Sequence, residues 1–189
     1  MRLFVAVDLS EEARQAIAAE QKRIAAALAD AKTRLKWVRS EHLHLTLVFL
    51  GEVEDARVPS VVDAIGRDVD APPFDVTFSD AGVFPPARAP RALWIGISTG
   101  VSELTAMQNE LAQRVARTGV DLDDRPFSPH LTLGRWRTSR SSDGRQALAA
   151  ATQGAIARMR VAAATLYQSQ LSSSGPAYTA RARANLARL

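Results

Sequence analysis

His44-Leu45-Thr46-Leu47 and His130-Leu131-Thr132-Leu133 are the same four residues, met twice about half a chain apart. In a β-strand, residues i and i+2 point to one face and i+1 and i+3 to the other. Each run therefore predicts a strand that presents an imidazole and a hydroxyl on one side. Leu45 with Leu47, and Leu131 with Leu133, anchor the opposite side in the core. Two such strands facing each other make a groove lined by two imidazoles and two hydroxyls.

That set suits in-line displacement at phosphorus. Histidine, with an unperturbed pKa of about 6.5, acts as acid or base at neutral pH. One neutral imidazole can take a proton from water while the other, protonated, supplies the departing oxygen. Threonine hydroxyls can hydrogen-bond the non-bridging oxygens, where charge builds up. The scheme requires no metal and no cofactor. The third histidine, His42, lacks the threonine two residues on and is expected at the strand's entrance, exposed or bonded to backbone. A rival reading makes His42, His44 and His130 three ligands of a zinc ion. It leaves both threonines unexplained, and neither motif carries an Asp or Glu.

Outward from the motifs, the chain reads as irregularly mixed strands and helices. Arg2 to Leu9 alternates as a strand and ends at Ser10, a good N-cap. Glu11 to Ala31 is alanine-rich, without a breaker, and predicts a long helix. Strands are expected over Leu35 to Val38 and Leu43 to Leu50, then a helix over Val58 to Val69 with Pro59 in its first turn. Phe74 to Phe84 and Ala92 to Ser98 read as strands, joined by a loop rich in Pro and Arg. Ser102 to Thr118 reads as a helix capped by Ser102 and stopped by Gly119. Leu131 to Trp136 is a strand, Asp143 to Ala157 a helix, and Arg158 to Leu171 and Tyr178 to Ala184 close the chain as strands. This order favours an α+β fold of antiparallel sheets backed by helices, in a single domain over 1–189. No glycine-rich phosphate loop is present.

Composition narrows the class. There is no long uncharged apolar run and no cysteine, so a membrane span, a disulfide framework and a thiolate metal site are all unexpected. The expected setting is cytoplasmic. The net charge of +4 comes almost wholly from arginine, and it permits a polyanionic ligand without demanding one.

The paired motifs resemble those of the two-histidine (2H) phosphoesterase superfamily, and within it the RNA 2',3'-cyclic phosphodiesterases, also called 2'-5' RNA ligases. The similarity spans nearly the whole chain. It includes Arg2 to Val7, Trp37-Val38, Leu43 to Leu47 running into Phe49-Leu50-Gly51, Pro90 to Trp94, Phe127 to Arg135, and the region near Gly175 and Tyr178. The resemblance implies a bilobal fold of two pseudo-symmetric lobes, with the motifs facing each other across a cleft. It implies hydrolysis of a 2',3'-cyclic phosphate at an RNA end to a 2'-phosphomonoester by a monomer that needs no obligate protein partner. It makes His44 the proton donor and His130 the proton acceptor, with Thr46 and Thr132 holding the phosphate. The same site could instead join tRNA halves through a 2'-5' bond, and a non-catalytic RNA-end-binding module is the alternative from another class.

Arg135 matches a family arginine and is grouped with the substrate-binding residues. Strand parity puts it on the face opposite His130 unless a bulge intervenes at Gly134, which would leave a phosphate contact and a structural ion pair both open. Phe49 and Trp94 are candidates to stack on a base. Parity places Phe49 with the leucines, which predicts core packing for it.

Overall fold

The computed structural model describes residues 1–28, 35–86, 88–123, 125–172 and 175–187, the side chains of residues 171 and 172 excepted. Among them run β1 (Arg2–Asp8), α1 (Glu11–Ala27), β2 (Leu35–Trp37), β3 (His44–Glu52), α2 (Val58–Ile65), β4 (Val69–Asp70) and β5 (Phe74–Phe84). There follow β6 (Ala92–Thr99), α3 (Val101–Ala116), β7 (His130–Trp136), α4 (Ser141–Ala150), β8 (Ala155–Val161), β9 (Ala163–Ser172) and β10 (Gly175–Ala187). Two five-stranded sheets result, ordered β3-β1-β9-β10-β4 and β2-β7-β6-β5-β8, antiparallel except where β4 joins β10. The expected bilobal α+β architecture is what forms.

Neither half of the chain builds a sheet by itself. β1 and β3 from the first half pair with β9 and β10 from the end, while β6 and β7 pair with β5 and β8. The helices cross over as well. α1 leaves β1 yet packs on β8 of the other sheet beside α4, and α3 leaves β6 yet packs on β3 of the first sheet beside α2. Buried Gln21 of α1 ties the helix to the second sheet, its amide donating to the carbonyls of Val38 and Leu133 at 2.9 Å each. Ile17 and Ile24 lie on the same buried face of α1.

Several boundaries differ from the pattern-based expectation. Ser10 does cap α1, its hydroxyl accepting from the Ala13 N–H at 3.2 Å, whereas the expected end of that helix, 29–31, lies outside the described residues. α2 stops at Ile65 because Val69 pairs with Leu186 in β4. Gly100, not Ser102, caps α3. It takes a positive φ of 82°, and a Cβ there would lie 2.4 Å from the Asp75 carbonyl oxygen. α4 ends at Ala150, and Ala155–Ala157 belong instead to β8, paired with β5. The single strand expected over 158–171 divides at Ala162, where the chain passes from one sheet to the other. The corrections to α2, α4 and the last strands trace to distant pairing partners, which local periodicity does not report.

Candidate active site

The two motifs fold alike, residue for residue. His44 sits opposite Asp8, and Thr46 opposite Ala6; then Leu47 is passed over, and Val48 and Phe49 face Val5 and Phe4. On β7, His130 sits opposite Gly96 and Thr132 opposite Trp94; Leu133 is passed over, and Gly134 and Arg135 face Leu93 and Ala92. Each motif thus ends in a β-bulge at its last leucine. A bulge inserts one residue and shifts the alternation by one. Leu47 and Val48 are consequently both buried, as are Leu133 and Gly134.

The bulges reset two expectations. Phe49 does not pack in the core: it returns to the face of His44 and Thr46, is 51% exposed, and carries the Arg2 guanidinium 5.2 Å from its ring centroid. Arg135 likewise returns to the face of His130 and Thr132, exposed and without an ion pair among the described residues. Arg135 and Phe49 are pseudo-symmetric counterparts. Arg135 also reaches the other lobe electrostatically, since its charge favours ionisation of the Tyr178 hydroxyl against the larger effect of burial, which raises that phenol's pKa.

Both motifs lie where the sheets meet. β3 is the edge strand of its sheet. Short β2 covers β7 only over Gly134–Trp136, so the His130–Thr132 segment is an edge too. β3 and β7 contact each other there.

The imidazoles are held in the same way. Nδ1 of His44 donates to the His42 carbonyl at 2.8 Å, and Nδ1 of His130 donates to the Ser128 carbonyl at 2.8 Å. A carbonyl only accepts, so Nδ1 carries the hydrogen and Nε2 is left as the exchangeable position on each ring. Thr46 and Thr132 are half-buried, and their hydroxyls have no hydrogen-bond partner among the described residues.

The surroundings of the two rings differ. His44 packs in an aromatic nest, with Phe4 at 4.9 Å and Tyr178 at 5.5 Å between ring centroids. Burial there lowers its pKa below the ordinary value, partly opposed by the Nδ1 hydrogen bond and the Asp8 charge. His130 sits against Phe84 at 5.3 Å and Trp94 at 6.0 Å. Trp94 lies flat over Gly82, where a Cβ would come within 2.1 Å of its ring. Trp94 is therefore a wall beside His130. His42 stands outside the strand in a 3-10 turn, Ser40–His42, with its ring 5.0 Å from that of Tyr178. Among the described residues no group of three or more His, Asp or Glu side chains is spaced to hold a metal ion.

Asp8, Thr165 and Tyr167 belong to this region but were not singled out from sequence. Thr165 donates to the Asp8 carboxylate at 2.9 Å and Tyr167 at 2.6 Å. Burial and that bond push the Tyr167 phenol up to about 12. The available signal was Asp8 itself, an acidic residue continuing the Phe4-Ala6 face of β1 beyond its apolar run Leu3–Val7.

A sequence model of the 2'-5' RNA ligase superfamily matches residues 14–172. The chain belongs to that superfamily. It is 32% identical over 182 residues to an RNA 2',3'-cyclic phosphodiesterase of Methanothermobacter thermautotrophicus, covering 95% of both chains. It is similar to a Thermus thermophilus crystal structure with a TM-score of 0.79 and 26% identity, covering 100% of this chain and 98% of that one. It is also similar to Escherichia coli LigT complexed with 3'-AMP, with a TM-score of 0.74 and 30% identity, covering 98% and 97% respectively. The superfamily resemblance read from the two motifs is thereby established.

Proposed function

We propose that this chain hydrolyses the 2',3'-cyclic phosphate of an RNA end to a 2'-phosphomonoester. The observation that carries this is the matched pair of imidazoles. Each is fixed through Nδ1, and each stands beside a threonine hydroxyl at the meeting edge of the two sheets; neither the Nε2 atoms nor those hydroxyls have a hydrogen-bond partner among the described residues. The naming of the Methanothermobacter relative points the same way.

In this reading His130 Nε2 takes a proton from water as the water oxygen bonds to phosphorus. The P–O3' bond breaks, and protonated His44 gives its Nε2 hydrogen to O3', leaving a 3'-hydroxyl and a 2'-phosphate. Thr46, Thr132 and Arg135 bind the non-bridging oxygens as their charge grows. Because each motif comes from a different half of the chain and each sheet mixes both halves, the acting unit is the whole of 1–189. It works as a monomer on RNA ends or nucleoside 2',3'-cyclic phosphates. An RNA substrate and a chain without cysteine favour the cytoplasm.

The test is to incubate the protein with a nucleoside 2',3'-cyclic phosphate in the presence of a chelator and identify the monophosphate isomer. A 2'-phosphate supports the proposal, and a 3'-phosphate would contradict it. Activity abolished by the chelator and restored by zinc would favour metal chemistry instead. The matched superfamily, 2'-5' RNA ligase, supports one further reading, joining of RNA through a 2'-5' bond, with tRNA halves as the substrates to try. Efficient joining with poor hydrolysis, measured side by side, would make ligation the principal reaction. Binding of RNA ends without any turnover would reduce the protein to a recognition module.

A further inference from the structure

The two histidines are equivalent in motif, in strand position and in their Nδ1 bonds, yet one must begin protonated and the other neutral. What separates them is the residue across the strand pair. Opposite His44 is Asp8; at the pseudo-symmetric place opposite His130 is Gly96, which has no side chain. The Asp8 carboxylate is fixed by two neutral hydroxyls, Thr165 on one oxygen and Tyr167 on the other. It forms no ion pair among the described residues, although the charge of Arg183 on β10 reaches the Tyr167 hydroxyl that binds it. We propose that Asp8 is a positioning residue whose charge favours the imidazolium of His44, the proton donor, against the burial that disfavours it, and that Asp8 in one lobe against Gly96 in the other distinguishes the two imidazoles.

The other groups around His44 do not supply this. Arg14 of α1, bonded to the Ser40 carbonyl at 2.6 Å, and His42 of the preceding turn both disfavour a second positive charge. Tyr167 of β9 is a neutral donor, and Tyr178 of β10 is neutral and faces the positive charges of Arg2 and Arg135. Burial in the aromatic nest also disfavours the charged imidazole. Among the described residues, Asp8 is the one carboxylate acting in the opposite sense.

The proposal rests on His44 being the donor, and the test separates the two ideas. Asp8→Asn keeps the side chain's size and an oxygen for the hydroxyls. Histidine titrations by NMR should show the His44 midpoint moving to lower pH, with His130 unmoved. In the same variant kcat/KM should fall about three- to tenfold at pH 8 and by progressively less towards pH 5, as protons become available to His44 without help from Asp8. An unmoved His44, or equal movement of both histidines, would overturn the Asp8 proposal alone. Movement of His44 with kcat/KM rising at pH 5 and holding at pH 8 would make His44 the base, overturning the donor reading and this proposal with it. Should Asp8→Asn fail to fold, the coupling is read in reverse from His44→Gln. Loss of the imidazolium should raise the pH at which the Asp8 carboxyl titrates, and no change there would overturn the proposal.

Discussion

Replacing Thr46 and Thr132 with valine, singly and together, removes the two hydroxyls while leaving shape and strand preference in place. Each hydroxyl is half-buried on the site face and has no hydrogen-bond partner among the described residues, so no protein contact is lost. Valine is a good strand residue, and surface changes that touch no special feature fall within about 0.5 kcal/mol. The melting temperature should therefore move by no more than about 2 °C in either variant. Catalysis should respond very differently. A hydrogen bond to a charged group contributes about 1.5–3 kcal/mol, which for an oxygen gaining charge in the transition state corresponds to about 10- to 150-fold in rate. Because the two motifs share one register and burial pattern through the bulge, the single variants should lose similar amounts of kcat/KM on a nucleoside 2',3'-cyclic phosphate. If the hydroxyls hold different oxygens, the double variant should lose roughly the product of the two factors. A loss below threefold in both single variants would refute the phosphate-holding role. A melting drop of 5 °C or more would show that the hydroxyls serve the fold instead.

Changing either catalytic candidate, His44→Ala or His130→Ala, should lower kcat by about 10²-fold or more with the fold intact, as circular dichroism and the melting curve will show. Gly82→Ala forces the Trp94 ring back from 2.1 Å to an ordinary contact near 3.4 Å. Overpacking of this kind costs about 1–3 kcal/mol, and the displaced ring should also raise KM on the His130 side; calorimetry and steady-state kinetics check both. Glu20→Gln tests the tie between α1 and Thr152, just beyond α4. The Glu20 carboxylate is buried; burial would raise its pKa, but Arg23 and Thr152 outweigh that and hold it low. The variant should lose on the order of 2 kcal/mol at neutral pH. A lowered carboxylate pKa stabilises above the unfolded value and loses that contribution as pH falls through the folded value. The gap between wild type and variant should accordingly close in urea melts below about pH 4.

The sequence by itself determined the parts of this protein that depend on local period. Two strands carry His and Thr on one face and Leu on the other, α1 begins at Ser10, and the α+β class follows from the order of elements. Those readings hold because alternation and capping are set by near neighbours. What happens beyond the fourth residue of each motif was not legible. Parity sent Phe49 to the core, and the structure returns it to the site face, because the bulge at Leu47 is fixed by pairing with β1, some forty residues earlier. Arg135 depended on the same unknown, a bulge at Leu133 set by β6. The lobes interleave, and α1 and α3 each pack on the sheet their own preceding strand does not belong to, which no local window reports. Asp8 shows the division most plainly. Its face was readable from strand alternation, but its hydroxyl partners lie 157 and 159 residues away, and only the tertiary structure sets a carboxylate opposite His44 and a glycine opposite His130.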